Sequence, residues 1–180
     1  MAFGIEPCWL LTGTQMGSKT SDNAHPGQWI DGVTIKQLVW HNDQRGSLTE
    51  MVRSDDAQMM VAPIGQVYMT TLYPGVVKAW HLHEKQWDRM VVVHGNVLLG
   101  LVDGRSTSST VNVQMRVLMG ERNHVCVLIP PGVQHGLKNI GTEEAKVVNV
   151  VSEVYDRDNP DEKRVEPHGT LPFSWDRVDS

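Results

Sequence analysis

The chain has 180 residues, 40% of them hydrophobic, and its mean hydropathy of -0.29 is ordinary for a globular protein with one core. Its 16 Lys and Arg residues against 21 Asp and Glu residues give a net charge of -5, with no basic run, which argues against a nucleic-acid surface. The apolar stretches are far shorter than the roughly 18 residues of a membrane helix. The sequence therefore predicts neither a nucleic-acid partner nor a membrane partner.

Residues 1–31 are predicted to form an N-terminal arm that precedes one domain, residues 32–180. The arm begins with a mixture of small and polar residues and has no basic stretch before its short apolar patch, unlike a secretory signal. Cys8 and Cys126 provide no disulfide framework, and the apolar run around Cys126 predicts a buried thiol. Together these features predict a cytoplasmic protein.

From Gly32 onward, short apolar runs alternate with turn residues rich in Gly, Asn, Asp and Pro. Evenly spaced short strands with few helix signals favour an all-β sandwich or barrel. A short helical turn is expected near Pro160–Arg164, and the apolar segment Leu171–Trp175 is expected to pack across the barrel. The predicted strands are Val33–Trp40, Leu48–Val52, Gln66–Leu72, Val76–His83, Met90–Val93, Asn96–Val102, Val111–Leu118, Val125–Ile129 and Ala145–Val151.

Two histidines and an acid lie close together in the middle of the chain. On a β-strand His81 and His83 point to the same side, about 6–7 Å apart at the backbone, so that both imidazoles can reach one ion. Asp88 follows five residues later and offers a carboxylate. His135 comes after a Pro-Pro-Gly turn, and a closed β architecture can fold it back onto the first pair.

These ligand types predict a divalent metal ion as cofactor. Neutral imidazoles and a carboxylate suit Zn, Fe, Mn or Ni, and such an ion keeps open positions that polarise a carbonyl or activate a water. The side chain of Asp88 is one methylene shorter than Glu, which leaves open whether it reaches the ion. In the alternative interpretation, His81 and His83 are ordinary strand histidines and Asp88 is a surface carboxylate.

The two motifs in register resemble those of the cupin superfamily, which usually has Glu at the position of Asp88. The resemblance implies a jelly-roll barrel, the cupin double-stranded β-helix, with His81, His83, Asp88 and His135 as ligands of one divalent ion. The residues of the first motif are Gly75, His81, His83, Asp88 and Gly95, and those of the second are Pro130, Gly132, His135 and Asn139.

Flanking segments are similar to the dTDP-4-dehydrorhamnose 3,5-epimerase family of sugar-nucleotide cupins. These segments are DGVTIKQLVWHNDQRGSLTEMVRSD, KAWH, VDGR, IPPGVQHG and YDRDNPDEKRV with the closing LPFSW. The resemblance implies that His81 removes a proton beside a ketone and that Lys78 contacts the diphosphate. It also implies that Arg45 and Arg53 help to hold the nucleotide, that His135 lines the site, and that the protein is a homodimer.

Several positions differ from that family. The family's lysine falls at Asp88, its tyrosine acid at Asn149, and the aspartate that supports the base at or near His168. His83 stands where the family normally has no histidine. The chain is therefore predicted to be an epimerase scaffold with a site rebuilt around an ion. A related branch of sugar-nucleotide ketoisomerases uses an HxH pair without an essential metal, so a metal-free isomerase remains open.

Three functional hypotheses follow. The first is a metal-dependent isomerase or epimerase that acts on a small molecule, a nucleotide-sugar or keto compound, with the metal as Lewis acid. If His81 binds the ion, then Glu50, His168 or a metal-bound hydroxide becomes the candidate base. The second hypothesis is an Fe(II)-dependent cupin oxygenase, and the third is a non-catalytic sugar- or metabolite-binding cupin.

Overall fold

The computed structural model describes residues 29–177 and 179, so most of the predicted arm lies outside the described residues. The described residues form strands and loops, without a helix. The strands are β1 (Thr34–Gln37), β2 (Trp40–Asp43), β3 (Gly46–Thr49), β4 (Gln66–Leu72), β5 (Val77–Leu82), β6 (Asp88–His94), β7 (Asn96–Asp103), β8 (Gln114–Gly120), β9 (Val125–Ile129), β10 (Val133–Asn139), β11 (Ala145–Val151) and β12 (Lys163–Arg164). In this part of the chain no helix is present that is long and apolar enough to cross a membrane.

Two five-stranded antiparallel sheets enclose the core. Their strand orders are β1-β9-β6-β11-β4 and β12-β5-β10-β7-β8, and β2 pairs with β3 as a separate hairpin. Alternate apolar residues of both sheets, such as Leu99, Leu101 and Val127, meet in one buried cluster. The predicted all-β jelly-roll fold is confirmed.

A second apolar cluster lies on the outer side of the first sheet, where the loop after β3 covers β6 and β9. Cys126 is fully buried there beside Met59, which confirms the predicted buried thiol, and burial raises the pKa of this thiol to about 12. The buried guanidinium of Arg89 donates hydrogen bonds to the carbonyl oxygens of Met59 and Ala62. These bonds pin the covering loop to the sheet.

The C-terminal segment packs on the outer side of the second sheet. Phe173 and Trp175 contact the buried ring of Trp80, with centroid distances of 5.1 Å and 4.9 Å. A Cβ atom at Gly100 would lie 2.7 Å from the Phe173 ring, so only glycine leaves room for this packing. The segment therefore supports β5 from behind, and β5 carries His81.

Three elements differ from the sequence expectation, since β2 shares only Trp40 with a predicted strand and neither β10 nor β12 was predicted as a strand. The strand β10 was not predicted, because Gly132 and Gly136 give its segment the composition of a turn. The helical turn expected at Pro160–Arg164 is wrong, since the strand β12 pairs with β5 there and Arg164 lies opposite His81. Backbone pairing to the open edge of β5 outweighs the helical propensity of this charged segment.

The close approach of β5 and β10 sets the position of the histidines. A Cβ atom at Gly136 would lie 2.3 Å from the Cβ atom of Ala79, a distance that no larger residue tolerates. His135 pairs with His81 across the two strands, and the register shifts between His135 and Leu137. Glycine at this position therefore allows two histidines from distant parts of the sequence to lie side by side.

Replacing Asp103 with asparagine is expected to destabilise the fold by about 2–4 kcal/mol, because a buried charge pair loses one partner. The fully buried Asp103 carboxylate accepts hydrogen bonds from Arg105, Ser108 and Thr110 at 2.7–2.8 Å. Burial acts to raise the pKa of Asp103, but these bonds lower it more, so its pKa lies well below the usual value. Urea unfolding of both proteins measures the difference.

The contribution of Asp103 to stability depends on pH with a definite sign. Because its pKa is lower in the folded chain than in the unfolded chain, the stabilisation is complete above the unfolded value of about 4 and is lost as the pH falls below it. The difference in unfolding free energy between wild type and Asp103→Asn should therefore become smaller in acid. Asp43→Asn, at an exposed pair with Arg45, is the matched control and should change stability far less. A gap that stays constant from pH 7 to pH 3 would contradict this account.

Candidate functional site

A cavity of about 970 Å³ opens between the two sheets, at the upper end of the range for small-molecule sites. Strands of both sheets line it, and the loop of residues 153–167 forms a further wall. Polar and ionisable side chains converge in it, whereas the opposite part of the barrel is filled by the apolar core. The cavity is therefore the candidate functional site of the described residues.

The structure brings three of the predicted site histidines together in this cavity. His81 lies near the end of β5, His83 follows that strand, and His135 lies on β10. The ring of His135 is centred 5.9 Å from that of His81 and 5.4 Å from that of His83. The strand pairing of β5 with β10 explains why residues more than 50 positions apart meet.

His81 is hydrogen-bonded to a carboxylate that sequence reasoning missed. Its Nδ1 lies 2.6 Å from Oε1 of Glu162, and Arg164 donates a bond of 2.9 Å to the other oxygen of that carboxylate. Burial acts to raise the pKa of Glu162, but Arg164 and His81 lower it more, so the group is ionised at neutral pH. An ionised carboxylate accepts the Nδ1 hydrogen, which leaves Nε2 of His81 with the lone pair of a base.

His83 is held by the backbone of the same loop. Its Nδ1 is hydrogen-bonded to the carbonyl oxygen of Asp161, and because a carbonyl only accepts, Nδ1 carries the hydrogen. The Asp161 carboxylate accepts backbone N–H groups of Glu84, Lys85 and Gln86 at 2.9–3.0 Å. The residue thus fixes both the turn after His83 and the orientation of its ring, with Nε2 as the available nitrogen.

His135 is buried and neutral. Burial lowers its pKa to about 4; the Asp88 carboxylate opposes this shift, and His83 and His81 add to it. Its Nδ1 lies 3.2 Å from the carbonyl oxygen of Val133 and donates to it. Nε2 of His135 therefore also carries a lone pair in the neutral pH range.

Three of the four predicted metal ligands form a group of suitable geometry. Ligand atoms of His83, Asp88 and His135 all lie within 4.8 Å of one another. Two imidazoles that donate Nδ1 to backbone carbonyls, which leaves Nε2 available, and one carboxylate fit a divalent transition metal. His81 lies outside this group, and its Nδ1 is bonded to Glu162 instead. The amide nitrogen of Gln86 lies 3.2 Å from Nε2 of His83 and 3.0 Å from the Asp88 carboxylate, so an ion would replace these two bonds.

Asp88 also connects to the sheet that faces the histidines. Its carboxylate accepts a hydrogen bond of 2.7 Å from the amide of Asn149 on β11. The same amide donates a bond of 2.9 Å to the phenol oxygen of Tyr68 on β4, and Tyr68 lines the cavity. Asn149, which stands where the resemblance puts a tyrosine, thus holds a tyrosine of the neighbouring strand.

The structure distributes the other predicted residues differently. Lys78 lines the cavity, where its ammonium donates hydrogen bonds to Thr70 and Thr71. Four predicted site residues are exposed and are not among the residues that line the cavity of the described chain: Arg45, Glu50, Arg53 and His168. Of these, Arg45 pairs with Asp43, and Arg53 pairs with Glu50 and Asp55.

Sequence reasoning missed four residues of the site, namely Tyr68, Gln86, Asp161 and Glu162. Two of them stand in the acidic segment that was expected to be a helical turn, and its strand pairing with β5 gave no sequence signal. Tyr68 carries a weak signal, because it alternates with Gln66 and Thr70 on a predicted strand and all three line the cavity. This alternation puts a phenol on the inner face of the sheet.

The family model of polysaccharide biosynthesis C-terminal domains matches residues 41–163. The chain is 38% identical over 147 residues to the spore coat polysaccharide biosynthesis protein SpsL of Bacillus subtilis, a match that covers 81% of this chain and 96% of SpsL. It is 38% identical over 137 residues to the probable low-salt glycan biosynthesis epimerase Agl13 of Haloferax volcanii, which covers 76% of this chain and 87% of Agl13.

Solved structures share the fold. A dTDP sugar isomerase from Desulfovibrio desulfuricans G20 superposes with a TM-score of 0.76 at 26% identity, over 83% of this chain and 94% of that chain. Structures of dTDP-4-dehydrorhamnose 3,5-epimerases are also similar. The resemblance to sugar-nucleotide cupins that the sequence motifs indicated is confirmed.

Proposed function

Because the chain belongs to the family of polysaccharide biosynthesis C-terminal domains, we propose that it is an epimerase or isomerase that acts on a nucleotide-linked keto sugar. The named activities of Agl13 and of the dTDP sugar isomerase support this reaction class. The observation that carries the proposal is the pair formed by His81 and Glu162 in a cavity large enough for a sugar nucleotide.

The chemistry begins with a carbon acid. A hydrogen on the carbon beside a ketone is acidic, because the electron pair left behind delocalises onto the carbonyl oxygen as an enolate. Nε2 of His81 accepts that proton, and the Glu162 carboxylate stabilises the positive charge that the ring then carries. Arg164 keeps Glu162 ionised and in position. Return of a proton to the other face of the carbon gives the epimer.

Binding of the negatively charged diphosphate of a nucleotide sugar requires positively charged side chains. Lys78 and Lys85 line the cavity and are exposed to it, which supports Lys78 as a diphosphate contact. Arg45 and Arg53 remain candidates for the nucleotide only if another copy of the chain brings them to the cavity, since they lie away from the cavity of their own chain. Glu50 and His168 were candidate bases only for the case in which His81 binds the metal ion. When His81 itself accepts the proton, no other base is required.

A divalent ion, if bound, would be held by His83, Asp88 and His135 and would act as a Lewis acid on the substrate carbonyl. His81 stays available as the base in that case, because it lies outside this group of three ligands and Glu162 holds its Nδ1. The proton transfer by His81 and the metal site are therefore separate features that one experiment can distinguish.

Deuterium uptake from heavy water tests the proposal. The purified protein, incubated with dTDP- and UDP-linked keto sugars, is expected to introduce deuterium beside the ketone, as measured by mass spectrometry. Preparations with and without chelator, with the metal content determined by elemental analysis, are compared. Equal rates of deuterium uptake with and without chelator would exclude a metal ion as Lewis acid and would support His81 as the base. If no sugar took up deuterium in either preparation, the proposed activity would be wrong.

A second function is favoured by the metal group alone. Two histidines and one carboxylate, as in His83, Asp88 and His135, form the ligand set of non-haem Fe(II) oxygenases. Oxygen consumption that depends strictly on Fe(II) would support this function over the first. A protein that binds the sugars but turns none of them over, with or without iron, would support the non-catalytic sugar-binding alternative.

We also propose that two copies pair as a homodimer. The edge strand β4 turns Val67 and Met69 outward, each 58% exposed. Leu48 on the hairpin of β2 and β3 is 61% exposed, and Val39, just before this hairpin, is 64% exposed. A second copy of the chain could cover the apolar edge strand and the separate hairpin, which would stabilise both. Sedimentation equilibrium tests this state. A cytoplasmic location remains a prediction from the sequence.

A further inference from the structure

We infer that Tyr68 is the acid that delivers a proton to the substrate from the side opposite His81. This inference rests on the proposed function and names a second catalytic residue for it. The resemblance puts the family's tyrosine acid at the position of Asn149, where this chain has an amide. Tyr68 lies directly across the β4–β11 pair from Asn149, so the phenol comes from the neighbouring strand.

Tyr68 and His81 belong to different sheets that enclose one cavity. Tyr68 is on β4 of the first sheet, His81 is on β5 of the second, and both line the cavity. Along β4 the inner positions alternate with the outward-facing Val67 and Met69, so the Tyr68 ring points inward. A sugar ring held between the sheets therefore has the base on one side and the phenol on the other.

The hydrogen bonds of Asn149 orient the phenol. The amide oxygen of Asn149 accepts the backbone N–H of Arg89 at 3.1 Å, so its NH₂ group must point the other way. That NH₂ group donates to Asp88 at 2.7 Å and to the Tyr68 oxygen at 2.9 Å. Because the phenol oxygen accepts this bond, its own hydrogen is left to donate to a substrate in the cavity.

The electrostatic surroundings keep the phenol protonated. Burial raises the pKa of Tyr68 to about 12, the negative charge of Asp88 adds to this shift, and the Asn149 bond opposes it. The group is therefore an acid at neutral pH and not a competing base. The charge of Glu162 acts on Tyr68 in the same direction, as expected for groups that share one cavity.

The proton transfers balance without any oxidant or reductant. His81 takes the proton of the C–H bond, and the electron pair of that bond enters the enolate. A new C–H bond forms on the other face from this electron pair and the Tyr68 proton, and the O–H pair stays on the phenolate oxygen. Water then returns a proton to the phenolate and accepts the proton of the imidazolium, which restores both groups.

The variant Tyr68→Phe separates proton removal by His81 from proton delivery by Tyr68. It is assayed in heavy water with a dTDP-linked keto sugar that the wild type converts. Formation of the epimer is expected to fall about 10²-fold, while deuterium still enters the unconverted sugar through His81. Tyr73→Phe, an exposed tyrosine outside the cavity, is the matched control and should behave as wild type. Asn149→Leu removes the bond to the phenol and should shift the ratio of exchange to epimerisation in the same direction as Tyr68→Phe.

Three outcomes would overturn the inference. Epimerisation by Tyr68→Phe at the wild-type rate excludes Tyr68 as the acid. An equal loss of deuterium exchange and epimerisation assigns Tyr68 to binding or folding instead, and a thermal unfolding scan separates those two. If the wild type itself shows neither exchange nor epimerisation with any sugar of the panel, the proposed function fails and this inference fails with it.

Discussion

Replacing His81 with glutamine is expected to lower the rate of epimerisation about 10³–10⁴-fold, because the base that breaks the C–H bond is removed. Glutamine keeps a polar side chain of similar reach and can still contact Glu162. Its amide nitrogen has no lone pair that accepts a proton. Deuterium uptake into the sugar and epimer formation should therefore fall together, which distinguishes this variant from Tyr68→Phe.

The control for His81→Gln is His94→Gln. His94 is an exposed histidine at the end of β6 that approaches Glu121 and Glu143 and lies outside the cavity lining. Its replacement should leave both rates at the wild-type level. Retention of more than a tenth of the deuterium uptake by folded His81→Gln would show that another group, such as a metal-bound hydroxide, removes the proton.

The sequence predicted the fold from local signals. Short β-branched runs between Gly-rich turns sufficed for the all-β jelly roll, because side-chain alternation is a local property of each strand. The strand β10 was missed, although it carries His135, since Gly136 is required by the close approach of Ala79 and not by a turn. A contact between strands that are distant in sequence leaves no signal in the composition of either one.

The sequence predicted those site residues that belong to its two motifs. The spacing of His81 and His83 and the turn before His135 were enough to indicate that the three imidazoles converge. The partner of His81 was not found, because Glu162 follows it by 81 positions and reaches it through the two-residue strand β12. Tyr68 was likewise hidden, since its role depends on the register between β4 and β11.

The structure separates two roles that the sequence assigned to the same residue. His81 was expected both to bind a metal and to resemble the family's base, and these roles exclude each other at one nitrogen lone pair. His83 and His135 form a possible ligand group with Asp88, and His81 lies outside it with its Nδ1 bonded to the Glu162 carboxylate. A base and a metal site can therefore coexist in one cavity.

Replacing Glu162 with glutamine is expected to lower kcat about 10²–10³-fold, with a much smaller change in KM. The glutamine carbonyl can still accept the Nδ1 hydrogen of His81, so the orientation of the ring is retained. What is lost is the negative charge that stabilises the ring when Nε2 takes the substrate proton. The loss therefore falls on the transition state and not on binding of the sugar nucleotide.

Two further variants determine whether charge or structure is responsible. Glu162→Asp keeps the charge on a shorter side chain and should recover part of the lost kcat, whereas a purely structural role would not distinguish it from glutamine. Glu84→Gln changes an exposed glutamate that pairs with Lys163, the residue of β12 next to Glu162, and it should leave kcat unchanged. If Glu84→Gln and Glu162→Gln lowered kcat equally, the strand β12 would matter as a support for β5, and Glu162 would not stabilise the protonated base.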